Sequence, residues 1–170
     1  STVPETPAPL ADELKAKIPD IEHSCHFIYL YGGRLLEIDG HRFMETGIAA
    51  DARLFDVLSF RLKEGNVASL EEPNAILLTE ELAEKLFPAQ EAMGQSILFD
   101  KDKVLVVRGI IEDLPENSSL QFDYIVPYEL PYGISHEWWQ LSDATYIKIG
   151  PYADFDKIKS LAREIWRERI

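Results

Sequence analysis

His23-Ser24-Cys25-His26 sets three potential soft-metal ligands within four residues. Cysteine beside histidine is also the pairing that thiol nucleophiles use. The segment reads as a strand, whose side chains alternate between faces. His23 and Cys25 then share one face and His26 takes the other. A structural zinc site needs about four converging ligands. Nothing in the sequence brings the remaining histidines, His41 and His136, to this strand. The favoured reading is a packed cysteine beside exposed or half-buried histidines.

Carboxylate pairs are the next candidates. Glu71-Glu72, Glu80-Glu81 and Glu112-Asp113 hold acids side by side, as acid/base chemistry could use. Adjacent residues do not face one another on a helix or a strand, so these neighbours make poor pairs. With 30 Asp and Glu in the chain, a solvated acidic face is the simpler account. Asp100 and Asp102 could suggest calcium, but their loop lacks the length and spaced glycine of an EF-hand. Neither G-x-x-x-x-G-K-[ST] nor G-x-G-x-x-G occurs, so no phosphate cradle of those kinds is present. No cofactor is expected.

Trp138-Trp139 lies in a loop-like stretch with Tyr132, Gly133 and His136. Trp138, Trp139 and Tyr132 are the candidate contacts for a partner or cargo, because exposed aromatics anchor interfaces. The competing reading is packing in the core or between lobes, with one tryptophan inward and its neighbour outward.

Charge narrows the function classes. The 170 residues carry a formal net charge of -13. Such a surface repels nucleic-acid phosphates and an anionic leaflet. One cysteine, Cys25, allows no disulfide within the chain. No apolar run approaches the roughly 20 residues of a membrane span, and no signal peptide is recognisable. Taken alone, these features read as cytoplasmic.

The elements that position these residues are delimited by local signals. Leu10, Leu14 and Ile18 form one stripe of a helix from Leu10 to about Lys17, ended by Pro19. Ile21–Tyr31 reads as a strand. Asp39-Gly40 between Leu35–Ile38 and Arg42–Ile48 is a hairpin signal. Asp51 is expected to cap a short helix to Leu58, followed by a short strand at Phe60–Leu62. Ile76–Leu78 is apolar, Thr79 is an N-cap, and Glu80–Phe87 is an amphipathic helix stopped by Pro88. Ser96–Phe99 and Val104–Ile111 flank the polar turn Asp100-Lys101-Asp102. Leu120–Val126 alternates as a half-wet strand. Thr145–Ile149 is a strand, and Asp154 caps a last helix burying Phe155, Ile158, Leu161 and Ile165.

The ordered set "EPNAILLTEELAEKLF", "MGQSILFD" and "VLVVRGIIEDLPENSSLQFDYIVP" resembles the MacB-like periplasmic core domain of FtsX/MacB-type ABC transporter permeases. "TPAPLADELKAKIPDIEHS" and "ADARLFDVLSFRLKEGN" stand upstream in the family's order. The likeness runs from about Thr6 to Pro127. It implies an α+β fold with mixed or antiparallel sheets and flanking helices, in two lobes. A porter-like lobe would comprise 1–48 and 119–170, and a sabre-like inserted lobe 49–118.

The resemblance also implies a non-enzymatic role at the periplasmic face of a bacterial inner membrane, in a piece cut from between membrane helices. The domain would pass ATP-driven movement of those helices outward. The result would be export, lipoprotein extraction or control of cell-wall hydrolases. The implied partners are the flanking permease helices, an ABC-type ATPase subunit, and a periplasmic protein or dimer mate, with no nucleic acid. The alternative role is ligand sensing, with a peptide or antibiotic in an inter-lobe cleft. A hydrolase using Cys25 and a histidine ranks last.

Overall fold

A computed structural model describes residues 4–131 and 133–169. It is a mixed α+β fold, as expected, and its contacts divide it into two compact units. One unit gathers Ser1–Ile28, Arg53–Ser59 and Tyr132–Ile170, and the other Tyr29–Ala52 and Phe60–Pro131. These bounds differ from the lobes drawn from sequence. Residues 29–48 and 119–131 were expected with the chain ends, yet they fall in the second unit.

Strand pairing explains that difference. β3 (His41–Ala50) pairs in parallel with β8 (Tyr124–Pro127), and β8 pairs antiparallel with β5 (Ala75–Thr79). Such pairing joins residues far apart in sequence, and no local pattern reports it. Arg53–Ser59 was expected in the insert and instead belongs with the chain ends. Its helix α2 (Leu54–Val57) buries Leu54 completely there.

The terminal unit is built on strands β1 (Thr6–Pro7), β9 (Leu141–Ile149) and the first part of β2 (Ile21–Ile38). β9 lies between the other two and is antiparallel to both. Helices α1 (Leu10–Lys17) and α4 (Phe155–Arg169) pack on this sheet. Leu10, Leu14, Ile18, Ile21, Ile158 and Ile165 form their shared core. Asp154 caps α4 as expected, its Oδ1 accepting from the Lys157 N–H at 3.1 Å. Phe155 does not join the buried stripe. It is 61% exposed, because it opens the helix a turn before the first core residue, Ile158.

The second unit is more apolar. β5 is buried at all five positions and β8 at all four. β7 (Lys103–Ile111) pairs in parallel with β5 and antiparallel with β4 (Leu62–Gly65) and β6 (Ser96–Phe99). Strands covered on both faces read as continuous apolar runs. The alternation expected over Leu120–Val126 holds in burial as far as Tyr124, with Gln121 exposed between buried Leu120 and Phe122, but the strand itself is confined to Tyr124–Pro127, where every position is buried. Leu120 and Phe122 are buried outside it.

Helix α3 (Glu80–Leu86) begins as its sequence dictates. The Leu82 N–H donates to Thr79 Oγ1 at 3.2 Å, satisfying one donor of the first turn. Asp51, by contrast, does not cap α2. Arg53 occupies that position, with no side-chain cap bond. Asp39 and Gly40, both with positive φ, turn β2 into β3. Gly47 is fixed by packing, since a Cβ there would lie 2.2 Å from the Tyr124 ring.

Candidate functional site

The strand expected to carry His23, Cys25 and His26 does so, but the environment differs from the expectation. Ser24, Cys25, His26 and Phe27 are all buried, while His23 is half-buried. Register sorts them between faces. His26 lies opposite Thr145, and Cys25 opposite Tyr146. Asp143, two residues before Thr145, shares the His26 face, within diagonal reach across antiparallel strands. On the other face the Phe27 and Tyr146 rings meet edge to face at 5.1 Å.

A polar network grows from this register. His26 Nδ1 lies 2.7 Å from Asp143 Oδ2, with the imidazole 7% and the carboxylate 0% exposed. Arg53 Nη2 lies 3.1 Å from His26 Nε2, and the same guanidinium donates to Asp12 of α1. Ser142 Oγ donates to Asp143 Oδ1 at 2.8 Å. Thr6 Oγ1 donates to the Asp143 carbonyl at 3.0 Å and lies 2.7 Å from Thr145 Oγ1. A buried carboxylate must be paired and hydrogen-bonded to be tolerated, and these groups meet that need.

Aspartate on one imidazole nitrogen is half of a catalytic triad. The second nitrogen would then face a nucleophile. Here a guanidinium occupies that side, so the pair is held as structure. His26 was expected exposed or half-buried. It is buried with the Arg53 guanidinium against its Nε2, a contact with no local signal. Arg53, Asp143 and Asp12 were not singled out from sequence. Extending the strand from Thr145 back to Leu141 would have set Asp143 on the inward parity of Thr145 and Ile147.

The terminal helices are joined by charge as well as by their core. Arg169 Nη2 donates to Glu13 Oε1 at 2.7 Å, and Lys17 lies 2.9 Å from Glu13 and 3.4 Å from Glu168. Arg169 and then Lys17 hold the Glu13 carboxyl below its usual range. Glu13 in turn raises both bases. The Arg169 guanidinium also sits over the Trp138 ring, 5.6 Å from its centroid.

The tryptophan pair divides. Trp138 is half-buried against the α1–α4 core, whereas Trp139 is 77% exposed. Tyr132 lies outside the described residues.

Nearly the whole chain carries the family assignment. It matches the model of the MacB-like periplasmic core domain over residues 1–165. The chain belongs to that family. It is therefore the periplasmic domain of an ABC transporter permease, and the family is not a catalytic one. Solved structures of similar fold agree. A domain described as a permease protein from Porphyromonas gingivalis superposes with a TM-score of 0.84 at 21% identity, covering 98% of this chain and 72% of that one. The periplasmic region of MacB from Actinobacillus actinomycetemcomitans gives 0.74 at 15% identity, covering 98% and 75%. The extracellular domain of the ABC-type transporter YknZ from Gram-positive bacteria gives 0.69 at 13%, covering 96% and 83%. A search of curated proteins gave no match.

The other candidate groups of this MacB-like domain are engaged in structure. Glu80 binds Lys63 at 2.7 Å and accepts from the Asp113 N–H. Asp113 accepts from the Glu81 N–H at 2.9 Å. Lys63 pulls the Glu80 carboxyl down, and Glu80 raises Lys63. Glu72 meets Arg108 at 3.3 Å, and Asp100 meets Arg34 at 3.8 Å. Beside α3 a groove of about 330 Å³ runs over Ala83 and Phe87, walled by Glu64, Glu84 and Glu91. Among the described residues no group of three or more His, Cys, Asp or Glu is placed to hold a metal ion. No helix of the described residues is long and apolar enough to cross a membrane.

Proposed function

We propose that this periplasmic domain carries movement of the permease's membrane helices to the periplasmic side, with ATP hydrolysed on a separate nucleotide-binding subunit. The unit built from the chain ends would act as the porter-like input, and the unit of Tyr29–Ala52 and Phe60–Pro131 as the sabre-like output. One observation carries this reading. The first helix and the last share a single core and a set of ion pairs through Glu13, Lys17, Glu168 and Arg169. In a permease, membrane helices flank this domain, so force would enter through both elements. A joint core makes them respond as one body, because close-packed interiors transmit displacement.

The domain would act on a periplasmic partner or cargo, in export, lipoprotein extraction or control of a cell-wall hydrolase, with the aromatic contact on the unit of the chain ends. Trp139 is the proposed contact, since it offers a large exposed aromatic surface. Trp138 would support it from below through the α1–α4 core. Trp139→Ala should weaken partner capture by the membrane-embedded permease and leave its ATPase rate unchanged.

The transmission role is tested by distance. Tyr152→Cys and Val104→Cys place exposed thiols in the terminal and the inserted unit. The native Cys25 is buried and stays unlabelled. With donor and acceptor dyes on the reconstituted permease and its ATPase, energy transfer should change between nucleotide-free and ATP-bound states. A constant transfer efficiency while ATP is hydrolysed sinks the proposal.

A further inference from the structure

His26 is the buried histidine of the described residues, 6% exposed, and the transmission role leaves it without a task. Its two ring nitrogens have opposed partners, Asp143 Oδ2 at 2.7 Å on Nδ1 and Arg53 Nη2 at 3.1 Å on Nε2. A guanidinium has donors and no acceptor. Nε2 must therefore present a lone pair, and the ring proton sits on Nδ1, donated to Asp143. That ring is neutral. A second proton would go to Nε2, set two N–H groups head to head and place an imidazolium against the guanidinium.

We propose that His26 is a pH-sensitive latch on segment Arg53–Ser59: neutral, it holds Arg53, and protonated, it releases Arg53 while staying on Asp143. The charged groups facing the ring come from different elements. Asp143 of β9 faces Nδ1, and Arg53 at the head of α2 faces Nε2. Asp12 of α1, on the solvent side of the guanidinium, remains as its counter-ion after release. Leu54, 0% exposed, still anchors α2, so the segment loosens without detaching. The loosened stretch is where the chain leaves β3 and returns towards β4. Histidine is the side chain whose charge ordinarily changes between about pH 5 and pH 8, so acidification of the periplasmic space would operate the latch.

Amide hydrogen exchange on the isolated chain, expressed as protection factors, tests this. The Asp56 and Val57 amides bond to the Arg53 carbonyl, and Leu58 to that of Leu54. Their protection should fall about tenfold between about pH 8 and pH 5, the worth of one hydrogen bond from a charged donor. Protection in the β2–β9 ladder should hold. His26→Gln, neutral at every pH, should abolish the pH response. Arg53→Ala should give low protection at both pH values. His41→Gln, at an exposed histidine, should leave the response intact. Constant protection of residues 56–58 in the native chain overturns the latch, as does a pH response that survives in His26→Gln. If His26→Gln does not fold, a response retained in Arg53→Ala overturns it equally. No membrane or nucleotide is involved, so the outcome is independent of the dye-distance experiment on transmission.

Discussion

The two units are held together by different physics. In the inserted unit the centre is a stack of apolar strands, with β5 and β8 buried throughout. In the terminal unit much of the fixing is polar. Asp143 and His26 are paired out of solvent, and Glu13 meets Arg169 across 156 positions of sequence. Apolar burial is non-directional. Hydrogen-bonded charge pairs are directional, and they fail abruptly when one member leaves. The input role proposed for the terminal unit would suit the second kind, since such a body must keep its shape while being pushed.

The sharpest way to break this contrast is Asp143→Ala. It leaves the buried His26 Nδ1–H without its acceptor, and should destabilise by about 2–3 kcal/mol in urea unfolding. Asp143→Leu combined with His26→Leu should cost clearly less, because both members of the pair leave together. A double variant worse than the single would mean the pair adds net stability. In the inserted unit Leu77, 0% exposed, is the matching probe. Leu77→Ala should cost about 2–5 kcal/mol, set by the cavity left behind, with no salt dependence.

Smaller effects separate the units by pH. Burial, and then Glu45, push the Asp123 carboxyl above its usual range in the inserted unit. A carboxylate with a raised folded-state pKa penalises folding at neutral pH, and the penalty is relieved as pH falls through that raised value. Asp123→Asn should therefore raise the melting temperature at pH 7 and make little difference at pH 3. Glu13 has the opposite sign. Its lowered folded-state pKa gives stability that is present above the unfolded carboxylate value, about 4.3. That stability is lost as pH falls through the lowered one. Glu13→Gln should give the smallest change of the set, a slight loss at pH 7 that shrinks in high salt because the pair is exposed. A Glu13 effect larger than that of Leu77 would reverse the comparison.

Legibility followed the same division. Thr79, Asp154 and Asp39-Gly40 act within a few residues of themselves, and each does in the structure what its type predicts. The resemblance also rested on such local signals in order, and the family followed from it. What failed was of two kinds, element ends placed a few residues off and contacts between distant stretches. Asp51 lost the cap of α2 to Arg53. Phe155 lay outside the buried stripe. The unit bounds moved because β8 lies between β3 and β5. His26 was expected exposed or half-buried, and it is buried between Asp143 and Arg53.

Residue types and their spacing alone settled most turns and caps, because these depend on backbone preferences spanning a few residues, and the ordered motifs carried the resemblance that implied the family and the α+β class. Which charges meet was decided only by folding. Asp143 reaches His26 across 117 positions and Arg169 reaches Glu13 across 156. A carboxylate's partner depends on strand register and helix docking, which no stretch of chain encodes by itself.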